Sequence, residues 1–191
     1  MEFIRQSIPD VVCIQPLIHS DSRGYFFEAF KKREFENFLG YRVDFCQVNE
    51  SKSAEGVLRG LHYQAPPYAQ SKLVRVIEGV VLDVAVDIRH NSPTFGQHVT
   101  IKLSGENKKQ LFVPKGFAHG FLVLSDYAIF TYKVDNDYAP QSEFGIIYDD
   151  PEIDIDWSFP ESNITLSHKD QHNPTLNQLE KHFDYLENYY E

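Results

Sequence analysis

Between residues 72 and 134, apolar and β-branched residues come in short runs separated by glycine, proline and clustered polar positions, the pattern of strands joined by turns. The spacing predicts strands over Lys72–Ile77, Val80–Arg89, His98–Leu103, Gln110–Val113, Gly120–Leu124 and Ala128–Val134. Glu78-Gly79, the polar stretch 104–109 and Pro114-Lys115-Gly116 supply the turns. Strands this short and evenly spaced, with no helical period between them, predict an antiparallel sandwich or barrel rather than a parallel sheet. Two aspartates, Asp83 and Asp87, interrupt an otherwise apolar run.

Helical spacing is confined to two places. Phe35 and Phe38 set it over Lys31–Leu39, which ends before Gly40, a residue suited to a left-handed cap. Leu176, Leu179, Phe183, Leu186 and Tyr190 fall three and four apart and predict an amphipathic helix over 176–190. Its polar positions are mostly acidic or amide, so the stripe is expected to dock on its own domain or on a second subunit rather than on a membrane. With no repeat, low-complexity tract or linker, the chain is read as one domain over 1–191.

A mass of 22.2 kDa with 42% hydrophobic residues is enough to bury a core. The formal charge of -10 argues against nucleic acid as a partner. Its distribution adds more: residues 1–133 hold 16 Lys/Arg and 14 Asp/Glu, whereas 134–191 hold 2 and 14. A small anion can therefore still be held by local Arg and Lys in the first part, because a short bidentate contact outweighs a distant screened field. Cys13 and Cys46 stand far apart without metal-ligand spacing, which fits a reducing compartment. No apolar run reaches the length of a membrane span, and the charged start MEFIRQSIPD lacks the apolar core of a signal peptide, so a soluble cytoplasmic protein is expected.

Pro114 to His119 has the PxGxxH spacing that resembles the second motif of cupins, small antiparallel jelly rolls. The first candidate motif, His62-Tyr63-Gln64, lacks a second histidine, and Ala65-Pro66-Pro67-Tyr68-Ala69 follows where an acidic ligand would be needed. No metal is expected, since a stable site needs three or four ligands. Other polar residues sit among apolar neighbours. Strict alternation along residues 57–64 places Arg59 and His62 on opposite faces, unless the intervening glycine marks a bulge. Taken singly, His62 reads as a satisfied core histidine, Arg59 as half of an internal ion pair, Lys72 as a strand-edge residue and Tyr132 as a core aromatic. Glu28 falls within an aromatic run read as a strand, where its carboxylate needs a partner or water.

Together these segments are more specific. DSRGYFFEAF (21–30), QVNESKS (47–53), VLRGLHYQ (57–64), GVVLDVAVDIRHNSPTFG (79–96), QLFVPKGFAHGFLVLS (110–125), YKVDNDYAP (132–140), EFGIIYDDP (143–151) and LSHKD (166–170) closely resemble the dTDP-4-dehydrorhamnose 3,5-epimerase family. The resemblance spans about residues 5 to 176. It implies a mainly β, metal-free cupin jelly roll that works as a homodimer without a cofactor. The implied reaction inverts C3 and C5 of a dTDP-linked 4-keto-6-deoxy sugar. By this resemblance His62 matches the base, Asp170 the carboxylate that orients it, Tyr132 the acid, and Lys72 the residue beside the 4-keto oxygen. Tyr138 matches the aromatic stacked on thymine. Arg23, Phe26, Glu28, Gln47, Asn49, Arg59, His119, Glu143 and Lys169 match positions that hold nucleotide, diphosphate or sugar, some of them across subunits. Tyr148 stands where a tryptophan is common in the family, a position read as packing.

Those residue types suit the chemistry. A 4-keto group acidifies both neighbouring C–H bonds, so one base can begin each inversion, a cationic donor can stabilise the enolate, and a separate acid can return the proton on the other face. Two alternatives share the pattern: a C3-only epimerase or ketoisomerase of a related nucleotide sugar, and a catalytically silent cupin that binds one.

Overall fold

The computed structural model describes residues 1–190, so the last position of the expected 1–191 unit lies outside it. Among the described residues the regular structure is thirteen strands, one short α-helix and four 3-10 turns. The N-terminal strands are β1 (Glu2–Arg5), β2 (Val12–Gln15), β3 (His19–Asp21) and β4 (Gly24–Phe26), followed by α1 (Lys32–Leu39). Next come β5 (Gln47–Ala54), β6 (Leu58–Gln64), β7 (Lys72–Glu78) and β8 (Val80–Asp87). The remainder are β9 (His98–Ser104), β10 (Gln110–Val113), β11 (Phe117–Val123), β12 (Tyr127–Val134) and β13 (Glu143–Gly145). All six strands predicted from the apolar runs are present, with ends displaced by up to three residues.

Two antiparallel sheets face each other. One has the order β1-β2-β10-β7-β12-β5 and the other β13-β6-β11-β8-β9; β3 and β4 form a separate hairpin. Strand parity explains the layers. Cys13, Val74, Val76, Leu111, Val113, Ala128 and Phe130 of the first sheet meet Val81, Ala85, Val99, Leu103, Phe117, Phe121 and Val123 of the second in one buried core. The alternate residues of the first sheet, Val12, Ile14, Leu73 and Phe112, face outward and are covered by Phe35 and Leu39 of α1. That is why α1 needs only one apolar stripe. It ends where predicted, at Gly40 with φ 86°, whose N–H bonds the Glu36 carbonyl.

The predicted helix over 176–190 is not formed. Leu176–Gln178 makes one 3-10 turn, and the chain then runs irregularly over the outer face of the second sheet. Its backbone groups are used elsewhere: His90 N–H donates to the Phe183 carbonyl (2.9 Å) and Tyr185 N–H to the His90 carbonyl (2.8 Å). Phe183 is buried among Tyr63, Ile88 and Leu176, whereas Tyr190 packs on the α1 layer against Tyr41. Leu186, which the stripe counted as apolar face, is 84% exposed. Tyr148 packs at the edge of this outer cluster, and its carbonyl accepts from Trp157 Nε1. Glu28 also departs from its expectation. β4 stops at Phe26, and Glu28 lies in the following loop paired with Lys31 at 2.6 Å. Among the described residues, no helix is long and apolar enough to cross a membrane.

Candidate active site

The inner faces carry polar side chains at one end of the sandwich, where a cavity of about 440 Å³ opens. Lys72 continues the inward series Val74, Val76 on β7, and Tyr132 continues Ala128, Phe130 on β12. From the other sheet, His119 takes the inward place between Phe117 and Phe121 on β11. Arg59, His62, Lys72, His119, Tyr132, Glu143, Lys169 and Asp170 all line this cavity. A second lobe shares Arg59, His62, Lys72, Tyr132 and Glu143 and adds Gln47, Asn49 and Tyr138.

Arg59 and His62 reach the same cavity because β6 carries one extra residue. On β11, His119 pairs with His62 and Phe121 with Arg59, so Gly60 and Leu61 together oppose the single Gly120. Such a bulge restores parity between positions three apart. Glycine is required there: Gly60 has φ 137°, and a Cβ on it would lie 2.6 Å from Gly120 Cα. Strict alternation therefore fails at this point, and the glycine is the signal that marked it.

Asp170 stands behind His62, with Oδ1 2.5 Å from Nε2. The strand-like segment before it is tied to β6, since Leu58 N–H donates to the Thr165 carbonyl and Thr165 N–H to the Gly56 carbonyl. Asp170 N–H then donates to Ser167 Oγ, which fixes the 3-10 turn that presents the carboxylate. Burial opposes ionisation of Asp170, but bonds from His62, Ser167 and the Gly60 backbone outweigh it and hold the carboxyl below its ordinary value. With Nε2 turned to the Asp170 carboxylate, the lone pair of a neutral His62 ring lies on Nδ1.

Burial lowers the Lys72 ammonium to about 8, against the pull of the Glu143 and Asp83 carboxylates. Its Nζ donates to the His62 carbonyl at 3.3 Å. Burial raises the Tyr132 phenol, with Asn49 and Arg59 acting in the other direction. Glu143 accepts from Tyr138 Oη (2.8 Å) and Lys169 Nζ (2.5 Å). Those bonds outweigh the effect of its burial and lower its carboxyl. Gln47 Nε2 donates to Asn49 Oδ1 at 2.7 Å, and Arg59 Nε to Ser53 Oγ at 3.0 Å.

Three expected binding residues do not join this cavity within the chain. Arg23 and Phe26 line a separate cavity on the β3–β4 hairpin, and Glu28 follows in the loop after it. Arg23 is exposed and forks onto Asp21, and Phe26 is 67% exposed. One residue of the site carried no assigned role in the sequence. Asp83 lies behind His119, and its only trace was a charge in an apolar run. Among the described residues, no group of three or more His, Cys, Asp or Glu is placed to hold a metal ion.

Comparison with known proteins agrees with this architecture. Residues 5–178 match the family model for dTDP-4-dehydrorhamnose 3,5-epimerase. The Escherichia coli (strain K12) protein of that description is 52% identical over 179 residues, covering 94% of this chain and 96% of that one. A Legionella pneumophila epimerase, solved in complex with dTDP-4-keto-L-rhamnose, superposes with a TM-score of 0.93 at 48% identity, covering 97% of this chain and 99% of the other. A 3'-monoepimerase from Streptomyces bikiniensis, solved with dTDP-quinovose, has a TM-score of 0.84 at 35% identity over 90% and 86% of the two chains. With its motifs in order along one jelly roll and half its residues identical to curated members, this chain belongs to the dTDP-4-dehydrorhamnose 3,5-epimerase family.

Proposed function

We propose that this chain inverts C3 and C5 of dTDP-4-dehydro-6-deoxy-D-glucose to give dTDP-4-dehydro-L-rhamnose in dTDP-rhamnose biosynthesis. The observation that carries the reading is His62 on one sheet, backed by Asp170 from a 3-10 turn, facing Tyr132 on the other sheet, with Lys72 in the same cavity. Substrate and product are isomers at one oxidation level, so the chemistry is proton transfer. His62 removes the proton α to the ketone, and Asp170 stabilises the imidazolium that forms. The Lys72 ammonium meets the enolate oxygen, where a preorganised donor contributes most. Tyr132 returns a proton from the opposite wall, and that difference in face is the inversion. The second lobe, with Gln47, Asn49, Tyr138 and Glu143, takes the nucleotide end of the substrate.

The enzyme acts as a homodimer, in which the exposed Arg23, Phe26 and Glu28 of one subunit complete the site of the other. Their absence from the His62 cavity of their own chain supports this arrangement.

The decisive experiment incubates the protein with the 4-keto sugar nucleotide in D₂O and follows deuterium by NMR. Exchange at both C3 and C5 is expected. Exchange at C3 alone would reassign the chain to a mono-epimerase, and saturable dTDP binding with no exchange would make it a binding protein.

A further inference from the structure

Two aspartates break the apolar pattern of β8, and the fold uses them differently. Asp87 accepts from Arg89 Nε and Nη2, the Arg89 backbone N–H, Ser92 Oγ and Thr94 Oγ1, all within 3.0 Å, so its lone pairs are filled by a loop it organises. Asp83 has no such set. Its side chain is 0% exposed, and among the described residues its hydrogen bonds come from His119 Nε2 alone, at 3.0 and 3.1 Å. One N–H cannot satisfy two carboxylate oxygens, and a buried carboxylate without a counter-charge is costly.

Parity supplies the missing partner. Asp83 lies on the inward series of β8 with Val81 and Ala85, as Lys72 lies on that of β7. Burial raises the Asp83 carboxyl and lowers the Lys72 ammonium, and each charge pulls the other back toward its ionised form. The charged and titratable groups around Lys72 are Asp83 of β8, Glu143 of β13, His119 of β11, Arg59 and His62 of β6, Tyr132 of β12 and Glu50 of β5. Lys169 and Asp170, from the loop, are already paired with Glu143 and His62. Glu143 divides its charge between Lys169 and Tyr138. Asp83 is bonded to a single imidazole, which burial pushes toward its neutral form; burial also raises the Asp83 carboxyl, and Lys72 is the remaining cation that favours its ionised form.

We propose that Asp83 is a positioning residue of the epimerase: it supplies the fixed negative charge that keeps Lys72 an ammonium in the cavity, and it holds the His119 proton on Nε2. This rests on the reading of Lys72 as the donor to the enolate oxygen. With Nε2–H turned to Asp83, the Nδ1 lone pair of His119 remains as an acceptor for a substrate hydroxyl. Asp83 itself touches no substrate, because His119 stands between it and the cavity.

The test follows the Lys72 Nζ resonance against pH in the intact protein labelled with ¹⁵N-lysine, assigned by comparison with Lys72→Arg. In the wild type the transition is expected near 8. In Asp83→Asn it should fall by about one pH unit, and the alkaline limb of kcat should move with it while KM stays near the wild-type value. A folded Asp83→Asn protein with an unmoved Lys72 transition would overturn the inference. If Asp83→Asn does not fold, the wild type decides: the ¹³C signal of the Asp83 carboxyl should shift at the same midpoint as Lys72, and a signal silent through that transition would overturn the inference. These resonances need no turnover. A protein that fails to epimerise therefore refutes the proposed reaction and leaves the Asp83–Lys72 coupling to be read separately.

Discussion

His62 Nε2 and Asp170 Oδ1 lie 2.5 Å apart although 108 positions separate them in the chain. The contact joins β6 to a 3-10 turn near the end of the fold, and the backbone of Gly60, two residues before the histidine, also favours the ionised form of the same carboxylate. One aspartate thus reads both the histidine and the bulge that aims it.

Replacing His62 by Asn should remove epimerisation by at least roughly 10³-fold while leaving dTDP affinity near its original value. Asp170→Asn should lower kcat by about 10² to 10⁴ with little change in KM, because the wrong proton arrangement is stabilised on His62. Deuterium exchange at C3 and C5 beside calorimetric binding of dTDP separates the two effects. Retained turnover in His62→Asn would refute the assignment of the base.

Asp170 also predicts a stability trend. Its carboxyl is held below the ordinary 3.8 in the folded protein, so ionisation favours folding above that value. The contribution is lost as pH falls through the lower, folded value. Thermal melts from pH 7 downward should show a smaller loss of Tm at the acid end in Asp170→Asn than in the wild type.

For Lys72 the sign is opposite. Burial takes its ammonium down to about 8, so the protonated donor is present below that pH and is lost above it. The pH profile of kcat/KM should have an alkaline limb near 8. Lys72→Met should lower the rate by about 10² to 10³ and remove that limb. A limb that survives in Lys72→Met belongs to another group.

Gly60→Ala meets two obstacles at once, a φ of 137° and backbone at 2.6 Å. We expect a loss of about 1–3 kcal/mol from backbone strain alone, with further loss from the clash. If the protein folds, Arg59 and His62 should no longer share a cavity. A urea midpoint unchanged from wild type would show that the bulge tolerates a side chain.

The C-terminal strap should be structural in its effect. Phe183, 3% exposed beneath Tyr63 and Ile88, should cost about 3–5 kcal/mol when cut to alanine. Leu186→Ala, on a residue 84% exposed, should be neutral within about 0.5 kcal/mol. Equal effects would mean that the tail docks differently in solution.

The proposed homodimer can be tested by complementation. Arg23→Ala and His62→Asn proteins should each be impaired, and refolding them together should restore activity through mixed dimers in which one site is intact. If Arg23 served the site of its own chain, each mixed dimer would keep one impaired site of each kind, and activity would not rise above the average of the parents.

The residue pattern alone determined much of this molecule. Alternation placed Val74, Val76, Ala128 and Phe130 on one buried face, and the same parity carries Lys72 and Tyr132 into the cavity. The motifs of the family were legible because each is a short run of neighbouring residues. Gly40 as the end of α1 was equally local, since only backbone geometry decides it.

Only the tertiary structure decided the rest. Whether Arg59 and His62 share a face depends on the close approach of Gly60 to Gly120, which no local period reports. Asp83 appeared only as a charge out of place until His119, 36 residues later, was brought beside it. The stripe over 176–190 obeyed a helical period yet forms an irregular strap, because its residues are drawn to pockets on two different layers and its backbone is bonded by His90. Periodicity reports which residues seek burial. Where they are buried is set by surfaces that exist only after the sheets have closed.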